Sequence, residues 1–500
     1  MRRIVGAAIM ASALAGPATA QPALRHDEFY WIGQINKAST VINSQEGLLD
    51  SALAPRIARG LETVLQAGDR PGGRRPSLII TFEPLLIEAA GVEATLIHAG
   101  RSSQDMLATV RVAMLREELL RIATQLQRTT ATMLALAERH KETVVPNYTN
   151  GVAAQPNSYG HYLLGFIAGL DRDAQRLRET YARLDLSPMG TTVLNGTSWP
   201  LNRARMASYL DFPGTVENAY DAAQIAAADL PVEIGAVTTG IALHAGAYLA
   251  DVMVQYAQPR PWLLLTEGEG NTYVSSAMPQ KRNPGVLNDA RRQASMVVTL
   301  ATGRAIAAHN IPPGMNDPKS IPDNLALTGA TLRLLEQWDR ILKALALNPE
   351  RALEELNSDW TASQEIADVL MREHKLPFRA GHHFASVVVD YARAHDIRPS
   401  DFPYAEARRL YRETLAEMHL PAAELPLTEA AFRTALDPAA IVRARATPGG
   451  PQPAEMARMV AAAQARLAAQ ELWVAAQRGR IDGALAQLDA DFGRVLALAH

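Results

Sequence analysis

Four long stretches with helical periodicity constrain the fold of this chain more than any other feature of its sequence. Apolar residues recur three and four positions apart in each stretch, as they do on one face of an amphipathic helix. The stretches cover residues 98–142, 216–258, 283–310 and 325–347. Helices of this length exceed the width of a small domain, and the alanines on their apolar faces allow close approach. The pattern predicts an all-α fold with a central bundle of long helices that continues across subunits.

Shorter helical patterns lie before and after the long ones. From about residue 357 the helices become shorter and the prolines more frequent. No alternation of apolar and polar residues predicts a substantial sheet, and residues 143–158 are predicted as a loop. We predict a division into four segments: a signal peptide at residues 1–20, an N-terminal helical domain at 21–101, the central long-helix bundle domain at 102–356 and a C-terminal helical domain at 357–500.

The first 20 residues have the pattern of a secretory signal peptide. Arg2 and Arg3 precede a short apolar run, and the small residues Ala18 and Ala20 flank Thr19 at a cleavage site. The mature chain should therefore begin near Gln21, and we expect a periplasmic or secreted protein. A free N-terminal helix is the alternative. No other stretch is expected to be long and apolar enough to cross a bilayer, so no membrane partner is predicted.

Composition excludes several functional classes. The chain has 500 residues and a net charge of −3, which gives no reason to expect nucleic acid as a partner. It contains no cysteine, which suits an oxidising compartment and excludes thiol catalysis, disulfides and cysteine metal sites. The twelve histidines lack metal-ligand spacing, and the adjacent His382 and His383 would diverge on a helix. We therefore predict no cofactor and no metal.

A polar segment between two long helical patterns contains the residues best suited to catalysis. Residues 266–285 read TEGEGNTYVSSAMPQKRNPG, with two prolines that prevent a helix near the end. Two adjacent hydroxyls, Ser275 and Ser276, precede Lys281 and Asn283. Such a set could supply a proton acceptor and a fixed positive charge on one mobile loop. An ordinary solvated connection is the alternative.

Five segments, in order along the chain, resemble the fumarase/aspartase superfamily and most closely its argininosuccinate lyase branch. The motif VSSAMPQKRNPG resembles the superfamily's signature loop. The other four segments are HAGRSSQDMLAT at 98–109, PNYTNGVAAQPNSYGHYLLG at 146–165, NGTSWPLNRARMASYLDF followed by VENAYDA within 195–222, and LPFRAGHHF at 376–384. The resemblance covers most of the chain after residue 20. It implies the superfamily's helical fold, a small-molecule substrate and a homotetramer with shared active sites.

The resemblance also implies a reaction. In this family a serine on the mobile loop removes the Cβ proton of a succinyl unit, the neighbouring carboxylate becomes a dianion, and departure of the leaving group yields fumarate. Such a dianion needs preorganised donors and cations. Carried over by position, Ser275 is the catalytic base, and Lys281 and Asn283 stabilise the dianion. The candidate substrate-binding residues are Arg101, Ser102, Ser103, Gln104, Thr149, Asn150, Gln155, Asn218, Ser276, Met278 and Lys319.

Several positions depart from the family pattern. Val274 replaces a glycine of the loop, Asn150 replaces a histidine, and Asn288 replaces the glutamate that orients this histidine. The paired loss suggests a coordinated change and leaves open which acid protonates the leaving nitrogen, unless that nitrogen leaves already protonated. Nearby candidates for the acid are His161, Tyr159 and Tyr148.

The residues that would hold the far end of the substrate also differ. Ser103 and Gln104 replace an arginine–asparagine pair, and GMNDPKS at 314–320 replaces a segment with tyrosine and glutamine. Lys319 could restore the lost carboxylate anchor, or it could be a plain surface lysine. The sequence predicts an argininosuccinate lyase-like enzyme that cleaves a C–N bond by anti β-elimination and releases fumarate from argininosuccinate or another N-substituted aspartate. The alternative is a non-catalytic descendant that binds a dicarboxylate or serves structurally.

Overall fold

The chain divides into two compact units. One comprises the residues up to Ala99 and from Leu488 onward, and the other comprises Gly100–Gln487. The structure, a computed structural model, describes residues 26–498, so the predicted signal peptide lies outside the described residues. The domain boundaries predicted near residues 101 and 356 stay predictions.

The first unit is helical. Its helices are α1 Glu28–Gln45, α2 Ala54–Asp69, α3 Ile79–Ala90 and a short 3-10 helix Val92–His98. Asp27 caps α1 by accepting a hydrogen bond from the Tyr30 N–H at 2.9 Å, and Arg75 pairs with the same carboxylate at 2.6 Å. Trp31 is fully buried in the core of this unit. The cap and the buried face explain why the chain turns into a helix here.

Long helices form the centre of the second unit, as the sequence predicted. They are α4 Ser103–Arg139, α5 Tyr159–Leu184, the short α6 Arg203–Tyr209, α7 Ala226–Ala257, α8 Gly285–Ala308 and α9 Ile321–Ala344. α4 packs on α5 and α9, and α7 packs on α5, α8 and α9. Their buried faces form the core that supports the site described below.

Helix α7 corrects one prediction. Together with a π turn at Asp221–Ile225 it forms a run, Asp221–Ala257, that is long and apolar enough by length and composition to cross a membrane. The expectation that no stretch after residue 20 meets this criterion was therefore wrong. A core helix has the same composition, because its apolar side chains pack on neighbours rather than on lipid. Ile241, Ala245 and Tyr248 are fully buried in the bundle.

Short strands form three two-stranded antiparallel sheets in the described part of the chain. The strands are β1 Val144–Thr149, β2 Val152–Ser158, β3 Leu263–Leu265, β4 Tyr273–Val274, β5 Arg282–Asn283 and β6 Leu345–Leu347. β1 pairs with β2, β3 with β6, and β4 with β5. The prediction of a loop at residues 143–158 was wrong, because the two arms of this segment pair with each other.

Shorter helices follow from residue 349 onward, in agreement with the change of pattern near residue 357. They are α10 Pro349–Ser358, α11 Ser363–His374, α12 Phe378–Ala394, α13 Tyr404–Glu417, α14 Glu429–Ala435 and α15 Pro438–Ala444. A long helix, α16 Pro453–Ala497, follows them. Trp360, Phe384, Phe402, Tyr411 and Phe432 form a local aromatic core among α11–α14. The fold is all-α, with a long-helix bundle and few short strands.

Candidate active site

The polar segment singled out in the sequence folds into a small hairpin. β4 and β5 pair with Tyr273 opposite Asn283, and residues 275–281 form the tip. The Ser275 N–H donates to the Lys281 carbonyl at 3.2 Å and closes the tip. Predicted catalytic residues eight positions apart in sequence are thereby brought into one compact turn.

The Ser275 hydroxyl lies where a negative oxygen would be stabilised. Its oxygen accepts hydrogen bonds from the backbone N–H groups of Ala277, at 3.4 Å, and Met278, at 3.2 Å. Successive N–H groups of a tight turn that converge on one point form an anion-binding concavity. A serine that must hold charge as an alkoxide needs such donors.

The two cations of the hairpin differ in availability. Arg282 donates to Glu267 at 2.8 Å and to the Pro279 carbonyl at 2.6 Å, so its charge is already compensated. The exposed ammonium of Lys281 makes no hydrogen bond or ion pair with any residue in 26–498. Asn283 directs its amide toward the Tyr273 carbonyl at 3.4 Å. Lys281 is therefore the free positive charge of the hairpin.

The β1–β2 hairpin carries a second group of predicted residues. Thr149 and Asn150 are exposed at its tip, and Asn150 and Gly151 have φ of 55° and 75°. Two residues with positive φ between paired strands form a type I′ turn, which favours Asn-Gly. The backbone conformation of the turn therefore favours asparagine at position 150, independently of any contact with substrate. Gln155, on β2, donates its side-chain amide to Gln364 at 2.7 Å.

A third group surrounds the start of α4. Ser102 caps the helix by accepting from the Gln104 N–H at 3.2 Å, and its own N–H donates to Asp105 at 2.8 Å. This is a capping box, which fixes the start of α4. Arg101 is buried, Ser103 is half-buried and Gln104 is exposed.

Asp105 ties this helix start to the neighbouring connection. Its second carboxylate oxygen accepts from the N–H groups of Gly190, Thr191 and Thr192 at 3.1–3.2 Å. Burial raises the pKa of Asp105, and these backbone N–H donors oppose that shift. The carboxylate therefore positions residues 190–192 beside the predicted binding residues of α4.

The last two predicted residues lie near the start of α7. Asn218 uses its side-chain oxygen to accept from the N–H groups of Tyr220 and Asp221, at 2.8 and 3.1 Å. Lys319 is only 5% exposed, so the surface-lysine alternative was wrong, and its ammonium donates to Gln224 at 3.1 Å. Asn218 thus caps the following turn, while Lys319 is a buried cation.

The structure brings part of the predicted site together. Ser275, Ser276, Met278, Lys281 and Asn283 share one hairpin, with Ser276 and Met278 exposed at its tip. The other predicted residues lie on separate elements: the β1–β2 hairpin, the start of α4 and the start of α7. Within residues 26–498, no side-chain hydrogen bond joins the hairpin tip 275–281 to these groups.

The three candidate acids are already committed to partners. The Tyr148 hydroxyl donates to Glu355 and accepts from Trp262 at 2.9 Å, and burial raises its pKa. The buried Tyr159 hydroxyl pairs with Tyr248 at 3.1 Å. His161 places Nε2 2.8 Å from the Gly449 carbonyl. Each of the three side chains is therefore held by partners within the same chain, and none of these partners belongs to the hairpin tip.

Sequence reasoning missed two residues near this region. Arg111 lies on α4, on the same helix face as Ala108 and Leu115, and Gln224 holds Lys319 in place. The available signal for Arg111 was a charged residue at an apolar position of a helical repeat. For metal ligands, residues 26–498 contain no group of three or more His, Asp or Glu side chains that could hold an ion.

Comparisons with known proteins give one consistent family. The chain matches the model of the Lyase family over residues 85–299 and that of the argininosuccinate lyase C-terminal family over residues 360–443. It is 26% identical over 458 residues to an argininosuccinate lyase of Methanosarcina acetivorans, covering 91% of this chain and 90% of the relative. It is 29% identical over 460 residues to an argininosuccinate lyase of Methanoculleus marisnigri, covering 91% of this chain and 90% of the relative.

Solved structures agree with these sequence relatives. An EDDS lyase in complex with formate superposes with a TM-score of 0.83 at 25% identity, over 94% of this chain and 92% of that one. A variant of EDDS lyase with bound fumarate gives the same values. The helical bundle and these relatives together define the class as a fumarase/aspartase-type lyase. Within that superfamily the chain belongs, as a divergent member, to the argininosuccinate lyase branch, and it is a carbon–nitrogen lyase.

Proposed function

We propose that this lyase is exported and releases fumarate by anti β-elimination from an N-substituted aspartate. The observation that carries the proposal is the Ser275 hydroxyl oxygen, which faces two backbone N–H groups in a hairpin that also bears Lys281 and Asn283. The names of the relatives support it, since they include argininosuccinate lyases and an EDDS lyase variant with bound fumarate.

The hairpin suggests how the elimination proceeds. Ser275, as alkoxide, takes the Cβ proton of the succinyl unit and becomes a neutral hydroxyl. The electron pair left on Cβ delocalises into the adjacent carboxylate, which becomes a dianion held by the Lys281 ammonium and the Asn283 amide. The pair then forms the C=C bond while the C–N bond breaks, and the electrons of that bond leave with a nitrogen that is already protonated as an ammonium. The products are fumarate and the free amine.

The leaving nitrogen narrows the substrate class. With Tyr148, Tyr159 and His161 held by other partners, a leaving group that departs without a protein acid is favoured. An alkylammonium has a pKa of about 10.4 and a guanidinium has a higher one, so the amine released from an alkylammonium is the less basic and the better leaving group. We therefore favour N-alkyl aspartates, whose nitrogen is an ordinary amine, over argininosuccinate.

We also propose a homotetramer with shared active sites. Large apolar side chains on α7 and α8 support it: Leu243 is 62% exposed, Met296 48% and Ile306 69%. Exposed apolar patches of this kind commonly mark protein interfaces. Light scattering should give the mass of four chains, and a single-chain mass at assay concentration would contradict the proposal.

The reaction is tested by the release of fumarate, measured by its ultraviolet absorbance, from a panel of N-substituted aspartates. Ser275→Ala should lower kcat by a factor of about 10²–10⁴, the usual contribution of a positioned general base. Ser400→Ala is the matched control, because Ser400 is exposed and its hydroxyl donates to the neighbouring Asp401. Full activity in the Ser275 variant would exclude this mechanism, and thermal stabilisation by the panel without turnover would indicate a binding protein.

Export is tested separately. The first residue of the protein recovered from the periplasm or medium should be near Gln21. Recovery of the chain only from the cytosol, with residues 1–20 still attached, would contradict export without affecting the proposed reaction.

A further inference from the structure

A cavity lies inside the bundle next to the predicted binding residues. It has a volume of about 170 Å³ and is walled by α4, the end of α5 and the start of α7. An apolar cavity of about 150 Å³ admits a molecule of benzene size. The volume here therefore suffices for a carboxylate with a short hydrocarbon stem.

One wall of the cavity carries an uncompensated guanidinium. The buried Nε of Arg111 has no hydrogen-bond partner, and the side chain makes no hydrogen bond or ion pair with any residue in 26–498. Burial lowers the pKa of Arg111 to about 10. Arg111 is half-buried, and a partly buried cation without a partner is costly, so such groups are normally paired with an anion.

A second cation faces the same space. Lys319 lines the cavity, and its described hydrogen bond goes to the neutral Gln224 side chain. Burial, and then the charge of Arg111, lower the pKa of Lys319. Gln224 is itself held, because its amide donates to the Val193 carbonyl at 3.1 Å, which leaves its oxygen for the ammonium.

The other charged groups of the cavity do not neutralise this pair. Arg183 is bound to Glu233. Asp229 is exposed and Asp221 is half-buried, and in the described chain neither carboxylate comes within 4.0 Å of the nitrogens of Arg111 or Lys319. The two carboxylates can approach the amine of a ligand, whereas Arg111 and Lys319 on the inner wall have no anionic partner among the described residues.

We propose that this cavity binds a carboxylate through Arg111 and Lys319, and that this carboxylate lies at the far end of the substrate's N-substituent. The proposal rests on the proposed function and deepens it, since it defines the substrates as N-(carboxyalkyl) aspartates. Arg111 lies two turns beyond Gln104, about 10 Å along α4. Asp105 positions residues 190–192, and the carbonyl of the adjacent Val193 orients Gln224. The same segment therefore contacts both the predicted binding residues at the start of α4 and the cavity.

The test compares two substrates of equal length, an N-(carboxyalkyl) aspartate and its neutral N-alkyl analogue. Arg111→Gln should lower kcat/KM at least tenfold for the first substrate, through KM, and less than twofold for the second. Arg128→Gln, at an exposed position of the same helix, is the matched control and should change neither. Malonate should raise the unfolding temperature of the wild type, and this increase should be absent in Arg111→Gln.

Several outcomes would overturn the proposal. An equal loss on both substrates would make Arg111 a structural residue, as would a lower unfolding temperature of the ligand-free Arg111→Gln protein. Malonate stabilisation that depends on Arg111, combined with an unchanged ratio of the two kcat/KM values, would mean that the cavity binds a free anion and not the substrate. If the wild type releases fumarate from neither compound, the proposed function fails, and the malonate comparison alone then decides whether the cavity binds a carboxylate.

Discussion

Asn150 offers a test that separates a backbone role from a substrate-binding role. It lies at the first position of a two-residue turn, with φ of 55°, and its side chain is exposed. The left-handed region costs most L-residues about 1–2 kcal/mol, whereas glycine adopts it freely. Asn150→Gly therefore keeps the turn and removes only the amide. Asn150→Ala removes the amide and strains the turn.

The magnitudes differ enough to be measured. A hydrogen bond to a charged group contributes about 1.5–3 kcal/mol, which is a factor of about 10 to 150 in kcat/KM. If the amide holds a substrate carboxylate, Asn150→Gly should lose activity by that factor while its unfolding free energy stays within about 0.5 kcal/mol of the wild type. Asn150→Ala should lose the same activity and also show faster hydrogen exchange at the hairpin amides.

A neighbouring residue supplies the control. Gly151 has φ of 75°, and a Cβ there would meet no atom within 4 Å, so Gly151→Ala strains the turn without deleting a functional group. We expect faster exchange in Gly151→Ala with kcat/KM within a few-fold of the wild type. Wild-type kcat/KM in Asn150→Gly, combined with a large loss in Gly151→Ala, would remove Asn150 from the substrate-binding set and leave it as a turn residue.

Three further predictions follow from the packing and charges of the second unit. Arg116→Leu should lower the unfolding free energy by about 3–5 kcal/mol in urea denaturation, because it removes the close partner of the buried Asp185, at 3.0 Å, and leaves the more distant Arg480 at 3.7 Å, whereas Arg128→Leu on the surface should change it by less than about 0.5 kcal/mol. Gly160→Ala should lower thermal stability by about 1–3 kcal/mol, since its Cβ would lie 2.4 Å from the Ala137 carbonyl oxygen; Gly479→Ala, with open space, should not. The folded-state pKa of Lys319 is lowered from 10.5, so the wild type should gain stability as pH rises from that lowered pKa to 10.5, and Lys319→Met should lack this gain in denaturation curves.

Local signals in the sequence were sufficient to predict the helices that position the site. Ser102 and Asp105 specify the start of α4 through a capping box that depends only on neighbouring residues. The apolar repeat that follows continues without a break to Arg139. Element boundaries of this kind could be predicted because helix caps and periodicity act over a few residues.

The hairpins and the cavity depend on contacts that the sequence does not state locally. β4 and β5 contain two residues each, so only their mutual pairing defines them. The Asn-Gly pair at 150–151 was a usable hairpin signal that the loop prediction overlooked. Lys319 is buried because its turn, Asp317–Lys319, packs on α7 and α8, and no local feature of GMNDPKS predicts that burial.

The replacement of the family's histidine and glutamate bears on the leaving group, and this can be tested by a series of substrates. Asn150 is explained in part by its turn, and neither Asn150 nor Asn288 is a proton donor near neutral pH. If no protein acid assists, the ammonium nitrogen must take the electrons of the C–N bond by itself and leave as a neutral amine, so kcat/KM should rise as the pKa of the departing amine falls. N-alkyl aspartates whose amines span several pKa values, compared at one pH, should give a steep negative slope. A flat dependence would show that an acid protonates the nitrogen during cleavage, and would reopen the choice between amine and guanidine leaving groups.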